Sequence, residues 1–272
     1  MVPQPIIFTD LDGTLLDHKT YSFSAALPAI DLLKEKGIPL VFCSSKTMAE
    51  IKYWRKRLGN LDPFISENGA GIFIPLSYFV KDYIVTLWPQ AEIIDEYYIL
   101  VLGTPYPLLR KALEDLRRRG FDVRGFGDMS EPEVAEITGL SREEAKLAKR
   151  REFDEPFLFQ GDHRKLLASI RKKGLRCAQG RFYHLMGDND KGKAVDLLKG
   201  LYHRTFGDVI TIALGDSPAD FPMLEKVDYP ILVRNHRGEH DRGIALPNLM
   251  RAEGIGPEGW NRAVLKLIQK RF

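Results

Sequence analysis

The chain has 272 residues, of which 44% are apolar and 28% charged, a balance that fits a globular protein of one large or two modest domains. Its 40 basic and 37 acidic residues leave a formal charge of +3, too small to imply nucleic-acid binding. Cys43 and Cys177 supply neither a disulfide framework nor a metal spacing, no signal-peptide pattern opens the chain, and no apolar run nears the roughly 20 residues of a membrane helix. A cytoplasmic protein that engages neither nucleic acid nor membrane is expected.

Residues 6–8, Ile-Ile-Phe, predict a short buried strand after Pro3 and Pro5. The strand runs into Asp10-Leu11-Asp12-Gly13-Thr14-Leu15. Two carboxylates leave a strand end together, and Gly13 lets the backbone turn. In an open α/β sheet that end faces the ligand crevice. The competing reading is a polar turn with Asp17 or Thr20 as a helix cap. A helix over 24–36 and a strand over 38–43 follow, so the first two strands should be parallel. The second strand meets Ser44-Ser45-Lys46-Thr47, where a hydroxyl either faces the crevice or caps the next helix, 48–58. Short strands at 64–65 and 72–74 flank Ser66-Glu67-Asn68-Gly69-Ala70-Gly71, a turn that follows a sheet strand.

Beyond Pro75 the texture changes. Strands are expected at 97–102, 121–126, 157–159 and 181–186, and helices at 108–119, 131–139, 142–151 and 162–173. These suggest an inserted cap domain over 81–187, between core segments 1–80 and 188–272. Asp190-Lys191-Gly192-Lys193-Ala194 opens a helix expected to end near Gly200. An apolar strand, 209–214, then meets Gly215-Asp216-Ser217-Pro218-Ala219-Asp220, so a second acidic pair leaves a second strand end. A short helix at 222–225, a strand at 229–233 and a terminal helix at 259–270 complete an α/β fold. Its core is a doubly wound, mostly parallel, Rossmann-like sheet, with an α/β cap inserted.

Acids at 10 and 12, a hydroxyl at 44, a lysine at 191 and acids at 216 and 220 now line up. Their order and type resemble the haloacid dehalogenase superfamily of phosphohydrolases, and the D-L-D-G-T-L and G-D-S-P-A-D segments carry the resemblance. The resemblance implies Asp10 as nucleophile and Asp12 as acid and base. It implies Mg²⁺ on Asp10, Asp216 and the Asp12 carbonyl, with Ser44 and Lys191 on the phosphoryl oxygens. Asp220 would orient Lys191 or a metal-bound water. These roles answer a physical need, because an anionic ester repels an anionic nucleophile until that charge is cancelled. Ala219 departs from the Asn often found there. Positions 10 and 44 leave no room for a lid, whereas 44 and 191 do, which resembles the sugar-phosphate phosphatases with a larger α/β cap.

Several segments are more closely similar to the mannosyl-3-phosphoglycerate phosphatase family: residues 44–47, 66–70, 151–157, Gly180-Arg181-Phe182 with His184, and 190–194. This implies release of phosphate from a small phosphorylated glycoside, mannosyl-3-phosphoglycerate, to give mannosylglycerate, a compatible solute. Lys46, Asn68, Gly69, Arg151 and Arg181 are then candidates to bind substrate. Arg151, in a charged run, reads more readily as a solvated helix end than as a ligand, Arg181 reads also as an ordinary strand residue, and His184 reads as a satisfied polar residue rather than a catalyst. His236 and His240 read as a polar loop rather than a metal site. The alternatives are another sugar phosphate, glucosyl-3-phosphoglycerate or a phosphomannose mutase reaction. A binding-only regulator is disfavoured by the presence of both Asp10 and Asp12.

Overall fold

A computed structural model describes residues 3–272. The chain runs β1 (Gln4–Thr9), α1 (Leu27–Glu35), β2 (Leu40–Cys43), α2 (Met48–Leu58), β3 (Phe64–Ser66), β4 (Gly71–Pro75), α3 (Lys81–Leu87), β5 (Glu92–Ile94) and β6 (Tyr97–Val101). It continues with α4 (Tyr106–Arg118), β7 (Asp122–Gly125), α5 (Glu131–Thr138), α6 (Arg142–Ala148), β8 (Asp154–Gln160), α7 (His163–Arg171), β9 (Arg176–Gln179) and β10 (Tyr183–Met186). It closes with α8 (Lys191–Phe206), β11 (Val209–Gly215), α9 (Phe221–Glu225), β12 (Tyr229–Arg234), β13 (Met250–Ile255) and α10 (Gly256–Arg271).

β1 is the middle of everything that follows. Its side chains alternate between two faces, and both faces are buried: Ile7 packs in one apolar cluster, Ile6 and Phe8 in another. The first cluster is closed by α1, α2 and α10 through Ile30, Trp54 and Trp260. The second is closed by α8 and α9 through Val195, Leu198 and Met223. Each such side chain contributes on the order of 1.5–3 kcal/mol when fully buried. β1 pairs in parallel with both β2 and β11, with Thr9 opposite Phe42 and Leu214. The three strands therefore end in step.

The large sheet has nine strands in the order β13-β12-β11-β1-β2-β3-β4-β6-β5. It is parallel from β13 to β3 and antiparallel beyond. β6 pairs onto β4 and β5 onto β6, so the expected boundary at residue 81 does not coincide with the edge of this sheet. The second sheet, β7-β8-β10-β9, is antiparallel and is covered by α4 and α7 through Leu113, Leu166 and Ile170. Every one of its strands lies between residues 122 and 186. The two chain crossings pass side by side: a Cβ on Gly187 would stand 2.4 Å from Thr104 Oγ1.

Local signals explain the helix ends. The Thr47 side chain accepts from the Glu50 N–H at 3.1 Å, and the Glu50 carboxylate accepts from the Thr47 N–H at 2.9 Å. This capping box is worth about 1 kcal/mol. It gives the cap role to Thr47 and leaves Ser44 free of it. Ser130 and Ser141 open α5 and α6 in the same way. α8 runs on past Gly200 to Phe206. Among the described residues no helix is long and apolar enough to cross a membrane.

Candidate active site

Asp10 is the first residue beyond β1, and its N–H donates to Leu214 O at 2.9 Å. That bond locks the tip of β1 to the tip of β11, where Asp216 leaves the sheet. Lys191, first residue of α8, is brought to the same point. Its Nζ donates to Asp10 Oδ1 at 2.7 Å and to Asp220 Oδ1 at 2.6 Å, and the side chain is 3% exposed. Asp216 Oδ1 accepts from Thr14 Oγ1 at 3.0 Å. Asp220 Oδ2 accepts from the Asp216 and Ser217 N–H groups and from Ser217 Oγ, at 3.0–3.1 Å. The loop is thus held without an asparagine at Ala219.

Asp10, Asp216 and Asp220 each offer an oxygen, all within 4.8 Å of one another. Gathering these acids has an electrostatic cost. Burial pushes the Asp10 carboxyl up to about 7, against the pull of Lys191, and Asp220 and Asp12 add to the rise. Burial, Asp220 and Asp10 hold Asp216 well above the carboxylate range. Burial opposes the charge on Lys191, but Asp10 and Asp220 outweigh it and keep the ammonium charged. Both Asp220 oxygens are engaged by protein donors. Asp10 and Asp216 each keep one oxygen that the protein does not bond, among the described residues.

Asp12 lies on the turn beyond Asp10. Its Oδ2 is 3.0 Å from Lys46 Nζ, while its Oδ1 is buried without a protein partner. Lys46 is also 3.5 Å from Glu50 Oε1 and lies 5.1 Å over the Tyr21 ring. Burial works against its charge, and Asp12 and Glu50 more than restore it. Ser44 is fully buried at the tip of β2. Its Oγ accepts from the Lys46 N–H at 3.3 Å, and its hydroxyl proton goes to no acceptor among the described residues.

A crevice of about 350 Å³ opens over Asp10, Asp12, Lys46, Lys191 and Asp216, whereas Ser44 and Asp220 are fully buried and do not line it. Asp10, Asp12, Lys46, Asn68, Lys191 and Asp216 line it from the nine-stranded sheet; Arg151, Arg181, Phe182 and His184 line it from the second sheet and its approach. Arg151 is buried rather than solvated, because Nη1 donates to Ser45 O and Nε to Ala148 O, each at 2.8 Å. Arg181 donates to Ile137 O and Thr138 O. Gly69 stands apart from the crevice. At φ +88° it lies against α8, where a Cβ would come within 2.1 Å of Asp190 O. Its part is to let the 67–69 turn close onto Lys191. His236 lines the crevice and stacks on His18 at 4.1 Å, whereas His240 bonds Ala252 O.

Sequence reasoning passed over the buried polar seam between the two sheets. Glu67 and Asn68 both have positive φ, 46° and 57°, a costly conformation for side-chain-bearing residues. Backbone bonds to Lys46 O and Ser44 O hold them there. The Glu67 carboxylate accepts from the Glu152 and Phe153 N–H groups, and Asn68 Nδ2 donates to Asp154 Oδ2 at 3.1 Å. Burial pushes the Glu67 carboxyl up to about 8, with Arg151 opposing. No sequence pattern marks these acids as buried, since their burial is made by contacts 85 or 86 residues away.

Fold and site together define a haloacid dehalogenase-like hydrolase, and the model of that family matches residues 7–87. A glucosyl-3-phosphoglycerate/mannosyl-3-phosphoglycerate phosphatase of Methanococcoides burtonii is 50% identical over 97% of each chain. A mannosyl-3-phosphoglycerate phosphatase of Pyrococcus furiosus is 38% identical over 88% of this chain and 95% of its own. This chain belongs to the glucosyl-3-phosphoglycerate/mannosyl-3-phosphoglycerate phosphatase family of the haloacid dehalogenase-like hydrolases. The sucrose-phosphatase of Synechocystis, solved with sucrose and phosphate, shares the fold with TM-score 0.62 at 14% identity, covering 99% of this chain and 98% of its own.

Proposed function

We propose that this chain hydrolyses the phosphate monoester of mannosyl-3-phosphoglycerate to mannosylglycerate and phosphate. The observation that carries the reading is the convergence of Asp12, Lys191 and Asp216 on Asp10 at the strand tips. The glucosyl ester is a second substrate on this reading, supported by the double name of the relative at 50% identity.

The donor set fits Mg²⁺. It consists of hard carboxylate oxygens, and burial and mutual repulsion hold Asp10 and Asp216 high in the absence of a further cation. Asp10, Asp216 and the Asp12 carbonyl would hold the ion, and Asp220 would orient Lys191. When bound, Mg²⁺ neutralises charge on the phosphoryl group. Lys191 holds one phosphoryl oxygen and draws Asp10 toward its ionised form; the free hydroxyl proton of Ser44 serves another. Asp10 then attacks phosphorus in line, and the P–O bond to glycerate C3 breaks. Asp12 gives its proton to the departing oxygen, then takes one from the water that displaces Asp10 from phosphorus. Lys46, Asn68, Arg151 and Arg181 surround the leaving side of the ester, under the second sheet.

The test is a phosphate-release assay with Mg²⁺ over mannosyl- and glucosyl-3-phosphoglycerate and common sugar phosphates. The glycosyl-phosphoglycerates should give the highest kcat/KM. Equal rates across all esters, or a requirement for a bisphosphate activator, would refute the assignment.

A further inference from the structure

The second sheet carries one imidazole with a built surrounding. His184 sits on β10 between Pro156 of β8 and Ala178 of β9, and it lines the crevice. Its Nδ1 is 2.7 Å from Oδ2 of Asp154, a carboxylate with no exposure. The same oxygen accepts from Asn68 Nδ2 at 3.1 Å, and Arg151 Nη1 stands 3.9 Å away. An ionised carboxylate only accepts, so Nδ1 carries a proton in either charge state of the ring. Nε2 is the atom left to meet a ligand, and it has no protein partner among the described residues.

The neighbouring cations each also meet protein acceptors. Lys191 serves Asp10 and Asp220, and Lys46 serves Asp12 and Glu50. Arg151 and Arg181 serve backbone carbonyls. The other two imidazoles of the crevice, His18 and His236, stack on each other. Burial, His236 and Arg181 all hold the His18 ring toward its neutral form. His184 Nε2 is thus a crevice-lining atom that no protein group occupies among the described residues, open to a carboxylate arriving with the leaving group.

We propose that His184, held by Asp154, is a specificity-determining residue that takes the glycerate carboxylate of the substrate at Nε2 in the imidazolium form. This rests on the substrate reading above. The anion selects the protonated ring, and the resulting N–H···O bond is charge-assisted. The charged and titratable groups around the ring are Asp154 on β8, Arg151 ahead of it and Arg181 on the β9–β10 turn. His18, His236 and Asp241 face the same crevice from the nine-stranded sheet.

The test measures KM for mannosyl-3-phosphoglycerate and inhibition constants for mannosylglycerate and inorganic phosphate. The proteins are the full-length wild type, His184→Gln and Asp154→Asn. His184→Gln should raise KM and the mannosylglycerate inhibition constant about tenfold or more. The inhibition constant for phosphate should hold, which shows that the site is folded, and the loss should fall mainly on KM. Asp154→Asn should give a smaller shift of the same selectivity. Unchanged mannosylglycerate inhibition in a variant that still binds phosphate overturns the proposal and leaves the substrate reading standing. Equal losses for phosphate and mannosylglycerate in both variants overturn it too. A wild type that releases no phosphate from either glycosyl-phosphoglycerate overturns both.

Discussion

Replacing Lys191 with methionine probes the electrostatics of the strand tips directly. The ammonium lies 2.7 Å from Asp10 and 2.6 Å from Asp220 and is almost wholly buried. At that distance each ion pair is worth about 6 kcal/mol at an effective dielectric constant of about 20, before the cost of desolvation. Removing one partner of such a buried pair typically costs about 3–5 kcal/mol, since charge is left unpaired. The loss should depend on pH. Asp10 already sits near 7 and Asp216 well above its usual range, and without the ammonium both rise further. A carboxyl whose folded pKa is raised contributes stability at low pH that disappears as pH climbs through that value. The deficit of Lys191→Met should therefore be near 3–5 kcal/mol at about pH 8 and clearly smaller at about pH 5.5. Urea unfolding followed through Trp54, Trp88 and Trp260, in chelator, measures it. Adding Asp220→Asn should recover part of the loss. A deficit under about 1 kcal/mol at the higher pH, or one equal at both, would refute the reasoning.

Asp10→Asn should cut turnover by at least about 10³-fold while lowering the urea midpoint far less than Lys191→Met does, because neutralising a crowded buried acid offsets its lost bond to Lys191, which keeps Asp220. A near-normal rate would remove Asp10 from the nucleophile's role. Asp12→Asn should lower kcat by about 10²–10⁴-fold, the usual contribution of a positioned acid and base. Excess chelator should abolish phosphate release and Mg²⁺ restore it; full activity in chelator would exclude the metal. Glu67, near 8 when folded against 4.5 ordinarily, binds its proton more tightly in the native state. Between those values wild-type stability should fall as pH rises, and Glu67→Gln should flatten that slope. Identical slopes in the two proteins would count against a protonated Glu67.

The acidic strand tips were readable because they combine two strong signals. Ile6–Phe8 and, but for Thr211, Val209–Leu214 are apolar on both faces, as central parallel strands tend to be, and each leads into a pair of acids. Lys191 was readable as the opening of a helix capped by Asp190. The sheet edges were not. β5 is Glu-Ile-Ile with every residue exposed, so no periodicity marks it. β13 holds a register shift against β12 and a glycine at 254, and its alternation is lost. Gly200 looked like a helix end, yet α8 packs through Leu198, Leu201 and Tyr202, and that burial outweighs the glycine's cost of about 1 kcal/mol. Arg151 looked solvated within a charged run. One carbonyl partner, Ala148, is local, but the other, Ser45, is 106 residues away and is brought to it only by the fold.

The central claim is that Asp10 becomes covalently phosphorylated with Lys191, Asp12 and Asp216 gathered around it. Acid quenching during turnover of mannosyl-3-phosphoglycerate, followed by peptide mass spectrometry, tests this. A hydroxylamine-labile phosphoryl group is expected on the Asp10 peptide and none in Asp10→Asn. A phosphoryl group on Ser44, or turnover by Asp10→Asn, would contradict it.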